Sequence, residues 1–306
     1  MAAALSKHHQ ATPVQKQSSV SNIVLPLDGS ELSRVAIPVV RGLTELYAAT
    51  THLAYAGEPA VDSETRLAHL GVKSGELPGA VIDQSTGLAP QAILTLAKDL
   101  PRCLIVMCTH TGHSDRDPDY FGSVTETVLA GNPERIVLVA PERGRRDFTI
   151  SRIVVAHDGT PTADCAIGPA GEIALRARAE VIVLHVAAPR AGCPERTGSF
   201  PAPQYVDQPQ HEWPSWSSEF SARMLALGAP ASSVKFKLVV TGGQPGSEIA
   251  QLVHRKAGDL VVMASPAEWK AGEPNAARVV IQTSGCPVLL VRSGVLASTT
   301  PGVRGE

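Results

Sequence analysis

The chain lacks most of the features that would assign a function class at once. Its five cysteines among 306 residues are odd in number and irregular in spacing, which excludes a disulfide framework and suits a reducing cytoplasm. Neither sign of charge is in excess. A formal net charge of −2 and a pI near 6.6 leave no electrostatic footprint for nucleic acid or an anionic membrane as a partner. No apolar run approaches the length of a membrane span. Residues 1–20, with Lys7, His8, His9 and Lys16, lack the continuous apolar core of a secretory signal and read as a disordered tail.

What is present is aliphatic and repetitive. The hydrophobic content of 43% is enough for two cores in a chain of this length. Ile23 to Leu27 read as a strand leading into Asp28-Gly29-Ser30, with Ser30 or Ser33 available to cap the next helix. Leu32, Val35, Ala36, Val39, Val40 and Leu43 recur at helical spacing to about Tyr47, with Pro38 near the first turns. Further strands are expected at Thr51 to Ala56, Ala80 to Asp83, Leu104 to Met107 and Ile136 to Val139. Helices are expected at Pro90 to Leu100 and after Gly122, with a short one near Arg66 to Leu70. Alternation of strands and helices is the signature of a doubly wound parallel sheet.

The second half repeats the first. Ser21-x-Ile-Val-x-x-x-Asp-Gly-Ser returns as Ser151-x-Ile-Val-x-x-x-Asp-Gly-Thr, Leu104 to Met107 as Leu260 to Met263, and Ile136 to Val139 as Val288 to Val291. Duplication gives domains at 21–141 and 151–294, a linker at 142–150, and terminal tails at 1–20 and 295–306. The edge strands Ile136 to Val139 and Val288 to Val291 are expected to pair across a pseudo-twofold axis, which protects two open apolar edges. A Pro- and Trp-rich insertion, 189–216, distinguishes the second half.

Ligands of open α/β sheets bind outside the carboxyl ends of the strands. Gly122-Ser123 begins a helix there, with Ser123 read as its N-cap and Gly131-Asn132-Pro133 as its stop. Free N–H groups and the positive dipole end make such a start a natural anion site. The pattern resembles the universal stress protein family, whose nucleotide-binding members carry Gly-x-x-Gly, nine residues, then Gly-Ser or Gly-Thr after a strand reading Leu-Ile-Val-Met. Gly112, Gly122 and Ser123 match the second part. Cys108 stands in place of the first glycine, and Gly112 is shifted by one position.

The resemblance covers Ser21 to Gly294 and implies two tandem Rossmann-like domains of the adenine nucleotide alpha hydrolase-like type. Each would be a five-stranded parallel sheet of order 3-2-1-4-5 with helices on both faces, the two packed as a pseudo-dimer. It implies ATP or AMP at the carboxyl edge of the first domain, with Mg²⁺ if the ligand is ATP. Pro26, Leu27, Asp28 and Ala56 would line the adenine and ribose side, Met107, Cys108 and Gly112 the ribose and phosphate path, and Gly122, Ser123 and Val124 the phosphates.

Asp28 has a second reading as the acceptor of an Asx-turn, because Asp158 repeats it. In the second half the motif is replaced by Ala264-Ser265-Pro266-Ala267-Glu268-Trp269, and Trp269 with Glu268 are expected to occupy and repel where phosphates would lie. Asp115, Asp117 and Asp119 repel a triphosphate unless Mg²⁺ intervenes. Cys108, His110 and His113 have a metal-like spacing but no fourth ligand, and His185 reads as a core histidine.

No Walker-type loop and no Ser/His/Asp set is present, so no catalytic residue and no metal ligand is assigned. The expected function is a cytoplasmic, stress-linked regulatory protein that binds an adenine nucleotide. A ligand-free interaction protein built as a ready-made dimer is the alternative, and slow ATP hydrolysis a third reading. Association of two such chains is left open.

Overall fold

The computed structural model describes residues 19–57, 63–110, 121–141, 147–187, 234–270, 273 and 275–293. The first half contains β1 (Asn22–Pro26), α1 (Ile37–Tyr47), β2 (Thr50–Ala56), α2 (Ser63–His69), β3 (Val81–Ser85), α3 (Ala89–Asp99), β4 (Cys103–Cys108), α4 (Ser123–Ala130) and β5 (Arg135–Val139). The second contains β6 (Arg152–Ala156), α5 (Ile167–Ala177), β7 (Glu180–Ala187), β8 (Phe236–Gly242), α6 (Pro245–Lys256), β9 (Leu260–Ala264), α7 (Ala276–Thr283) and β10 (Val288–Val291). The insertion, the loop after His110, residues 1–18 and residues 294–306 lie outside the described residues. The expected disordered tail ends earlier than residue 20, because Val20 is buried in the core and the Ser19 N–H donates to Glu172 Oε1 at 3.0 Å.

The ten strands among the described residues form one sheet of order β3-β2-β1-β4-β5-β10-β9-β6-β7-β8. Each half is parallel with order 3-2-1-4-5, and the halves join through the antiparallel pair β5–β10. Val137 lies opposite Leu289, so the expected edge pairing is observed. Strand alternation sorts the side chains into two layers. Ile23, Leu25, Val137, Val139, Leu289 and Val291 meet α1 and α5 on one face, whereas Val24, Ile136, Leu138, Val288 and Leu290 meet α4, α6 and α7 on the other. Both layers run unbroken across the junction. At about 1.5–3 kcal/mol for each fully buried aliphatic side chain, the eight central residues of β5 and β10 make this a core rather than a surface contact.

Several local expectations shift. A 3-10 turn, Ser33–Ala36, precedes α1, and Pro38 falls at the first α-helical positions, where its missing N–H costs nothing. The second half repeats this with Ala163–Ala166 before α5. Phe148, in the linker, is buried against the backbone at Gly42. Cys103 and Cys108 are free thiols at opposite ends of β4. No described helix is long and apolar enough to cross a membrane.

Candidate functional site

The carboxyl ends of β1, β2 and β4 open into a cleft of about 720 Å³, which continues between β3 and α3. Among the ten residues expected at the site, Pro26, Leu27, Asp28, Ala56, Met107, Cys108 and Val124 line it. Gly122 and Ser123 directly precede Val124 at the α4 end without lining the cleft. Gly112 and the acidic segment 115–119 lie outside the described residues.

Asp28 closes an Asx-turn. Its Oδ1 accepts the Ser30 N–H at 2.9 Å and the Ser30 hydroxyl at 2.6 Å, and Ser30 Oγ accepts the Ser33 N–H at 3.2 Å. Burial pulls this carboxyl up, but the hydrogen bonds from Ser30 and Ser33 outweigh it and hold the group below the usual carboxylate range. Asp158 makes the same turn with Thr160, at 2.8 and 2.7 Å. Gly29 is required between them, because its φ is +82° and a Cβ there would lie 2.7 Å from the carbonyl oxygen of His69.

The α4 end differs from expectation. Gly122, not Ser123, is the N-cap, and Ser123 is the first helical residue, with no side-chain cap bond. The Gly122 N–H donates to the Thr109 carbonyl at 2.8 Å, and the Thr125 hydroxyl to the Cys108 carbonyl at 3.1 Å. The strand-to-helix crossing is therefore braced by the protein itself. Glu126 N–H makes the first intrahelical bond, to Gly122, so the N–H groups of Ser123, Val124 and Thr125 are those a helix start presents outward. The Cys108 thiol, where the family has glycine, is buried and pushed up to about 11 by desolvation, so it presents a neutral surface.

The floor of the cleft is made by residues that the sequence reading did not single out. Ala54 on β2 is small, and Asp83 opposite it on β3 is held by His52 Nδ1 at 2.8 Å, whose Nε2 faces Asn22 Oδ1 at 3.1 Å. Over this floor α3 buries one residue, Ile93, and leaves Leu88 exposed at the rim. No local sequence period announces such a gap; only the size of side chains on neighbouring strands does.

Trp269 makes contacts that the sequence did not announce. It lies under Arg278 of its own half and also crosses the junction, stacking on Phe121 with ring centroids 6.0 Å apart and donating Nε1–H to Glu126 at 2.9 Å. Glu268 is exposed and lies beside Lys270. In the second half, His157 and His185 are buried: His157 Nδ1 accepts the Gly159 N–H, its Nε2 meets Asp164 at 3.0 Å, and His185 Nδ1 donates to the His157 carbonyl at 2.9 Å. His185 is thus a satisfied core residue. Among the described residues no group of three or more His, Cys, Asp and Glu could hold a metal, and His113 lies outside them.

Residues 149–292 match the family model described as the universal stress protein family. These residues are a universal stress protein domain. At the level of fold the likeness extends over both halves. A universal stress protein from Archaeoglobus fulgidus DSM 4304 is 17% identical, with a TM-score of 0.58, covering 91% of this chain and 100% of its own. A functionally unknown protein from Pseudomonas aeruginosa PAO1 is 15% identical, with a TM-score of 0.58, covering 90% and 94%. A putative universal stress protein from Pseudomonas aeruginosa UCBPP-PA14 is 15% identical, with a TM-score of 0.56, covering 90% and 94%. Among curated proteins none matches the chain. The universal stress protein domain thus coincides with the half in which His157 and His185 are buried. The open cleft belongs to its structural repeat.

Proposed function

We propose that the first half, 21–141, binds one adenine nucleotide, ATP or AMP, in the cleft, and that the second, 151–294, is a partner that has lost its own site. The observation that carries this reading is the cleft itself, whose wall includes seven of the ten residues that the family resemblance assigns to the ligand. Pro26, Leu27, Ala54 and Ala56 provide a small apolar seat for a base. Asp28 offers an acceptor for ribose hydroxyls, and the outward N–H groups of α4 offer donors to phosphate. When ATP is the ligand, Mg²⁺ offsets repulsion between its phosphates and Asp115, Asp117 and Asp119. The chain then acts as a ligand-modulated regulator in a cytoplasmic stress response, without turnover of its own.

A second reading, a ligand-free interaction protein, is favoured by one observation: the N–H groups of Phe121 and Gly122 are already taken by Glu126 and Thr109. Calorimetric titration of the nucleotide-stripped chain with ATP and with AMP, with and without Mg²⁺, decides between them. One site per chain, lost in Gly122→Val, supports the sensor; absence of heat with every ligand supports the interaction protein.

A further inference from the structure

A buried ion pair lies where the two halves meet. Arg278 Nη1 donates to Glu126 Oε1 at 2.6 Å and Nη2 to Oε2 at 3.2 Å, with the residues 2% and 8% exposed. The same carboxylate accepts the Phe121 N–H at 3.0 Å and Trp269 Nε1–H at 2.9 Å, and the guanidinium lies over the Phe121 and Trp269 rings at 4.6 and 5.0 Å. The hydrogen bonds from Arg278, Phe121 and Trp269 outweigh desolvation and keep Glu126 charged, so this is a satisfied pair.

Its position in the repeat is what matters. Glu126 and Arg278 are 152 residues apart, the same separation as Val137 and Leu289, which face each other at the centre of β5–β10. The two charged residues are therefore equivalent positions in the two halves, brought together on the pseudo-twofold axis. An isologous pairing of like halves would put Glu126 against a second Glu126, or Arg278 against a second Arg278, in a buried site. Arg278 also sits in the first turn of α7, where the helix dipole disfavours a cation. The helix bears that cost on its own; the partner at Glu126 accounts for it.

We propose that the Glu126–Arg278 pair is a pairing code: it commits the β5 face of this chain to one partner, the β10 face bearing arginine, and rejects like-with-like pairing of halves between chains. The apolar strands cannot make that distinction, because Ile136 to Val139 and Val288 to Val291 are interchangeable hydrophobic edges. A polar residue on an axis of symmetry is the device by which buried ionic groups specify register and partner more than they add stability.

The test uses the full chain and hydrogen exchange read separately on the peptides carrying β5, β10, β1 and β6. Arg278→Met removes the partner charge, Arg278→Glu makes the axis like-charged, and Glu126→Gln with Arg278→Met makes it neutral. The expected result is exchange at β5 and β10 at least tenfold faster in Arg278→Glu than in Arg278→Met, near wild-type rates in the neutral double variant, and unchanged β1 and β6. If Arg278→Glu unfolds the whole chain, the comparison of Arg278→Met with the neutral double variant carries the test alone. Equal exchange in Arg278→Met and Arg278→Glu, or a double variant no better than Arg278→Met, would overturn the proposal. None of these readouts depends on nucleotide binding.

Discussion

The two halves lay the same strand order under helices of the same register, yet among the described residues one has a cleft where the other has packed side chains. Aligned through their strand pairings, Ala54 corresponds to Leu184, Ala56 to Val186 and Asp83 to Val239. The helices above correspond as well, with Ile93 of α3 matching Ile249 of α6. Over the larger floor α6 buries Gly246, Ile249, Ala250, Leu252 and Val253, whereas α3 buries Ile93 alone. The difference between the open floor of the first half and the larger side chains of the second is therefore written in three floor residues on β2 and β3.

The comparison can be broken by exchanging floor residues. Leu184→Ala should destabilise the chain by about 2–5 kcal/mol, because a packed helix cannot follow the lost volume, and should create no nucleotide site. Urea unfolding measures the first effect and titration the second. Ala54→Leu should raise the Kd for ATP roughly tenfold or more, about 1.4 kcal/mol per factor of ten, while leaving the unfolding midpoint near that of the wild type.

Smaller effects follow from titration. The carboxyl of Glu126 is held below its ordinary value near 4.5, so the stability it contributes is present above that pH and lost as pH falls through the folded value. Glu126→Gln should flatten the acid limb of the stability curve. Burial lowers the pKa of His185 from 6.5, although the His157 carbonyl pulls the other way. Its contribution is complete above pH 6.5 and declines as pH falls toward the folded value, a pH dependence that His185→Asn should remove.

The strand order was legible only through the resemblance to the universal stress protein family, whereas the β5–β10 junction was legible in the residues themselves, because Ile136 to Val139 and Val288 to Val291 are charge-free runs that repeat and must be covered. The Asx-turns were legible because Asp28 and Asp158 repeat with a hydroxyl residue, Ser30 or Thr160, two positions on. The cleft was legible at its rim, from Pro26 to Asp28 and from Met107 to Cys108, but not at its floor. Its emptiness depends on Ala54 and Asp83 lying side by side on paired strands, a property of register that a linear motif does not carry. The partners of Trp269 were not legible for a related reason: Phe121 and Glu126 are supplied by the other half across the axis. One signal was available, since Glu126 and Arg278 are opposite charges at equivalent positions of the repeat, each in a helix beside the expected axis.

The most direct measurement is the calorimetric titration of ATP into the wild-type chain and into Ala54→Leu under identical conditions. The account predicts one site per wild-type chain and loss of most of that affinity when the second half's leucine is placed in the first half's floor. Equal binding by both proteins, or no binding by the wild type, would contradict it.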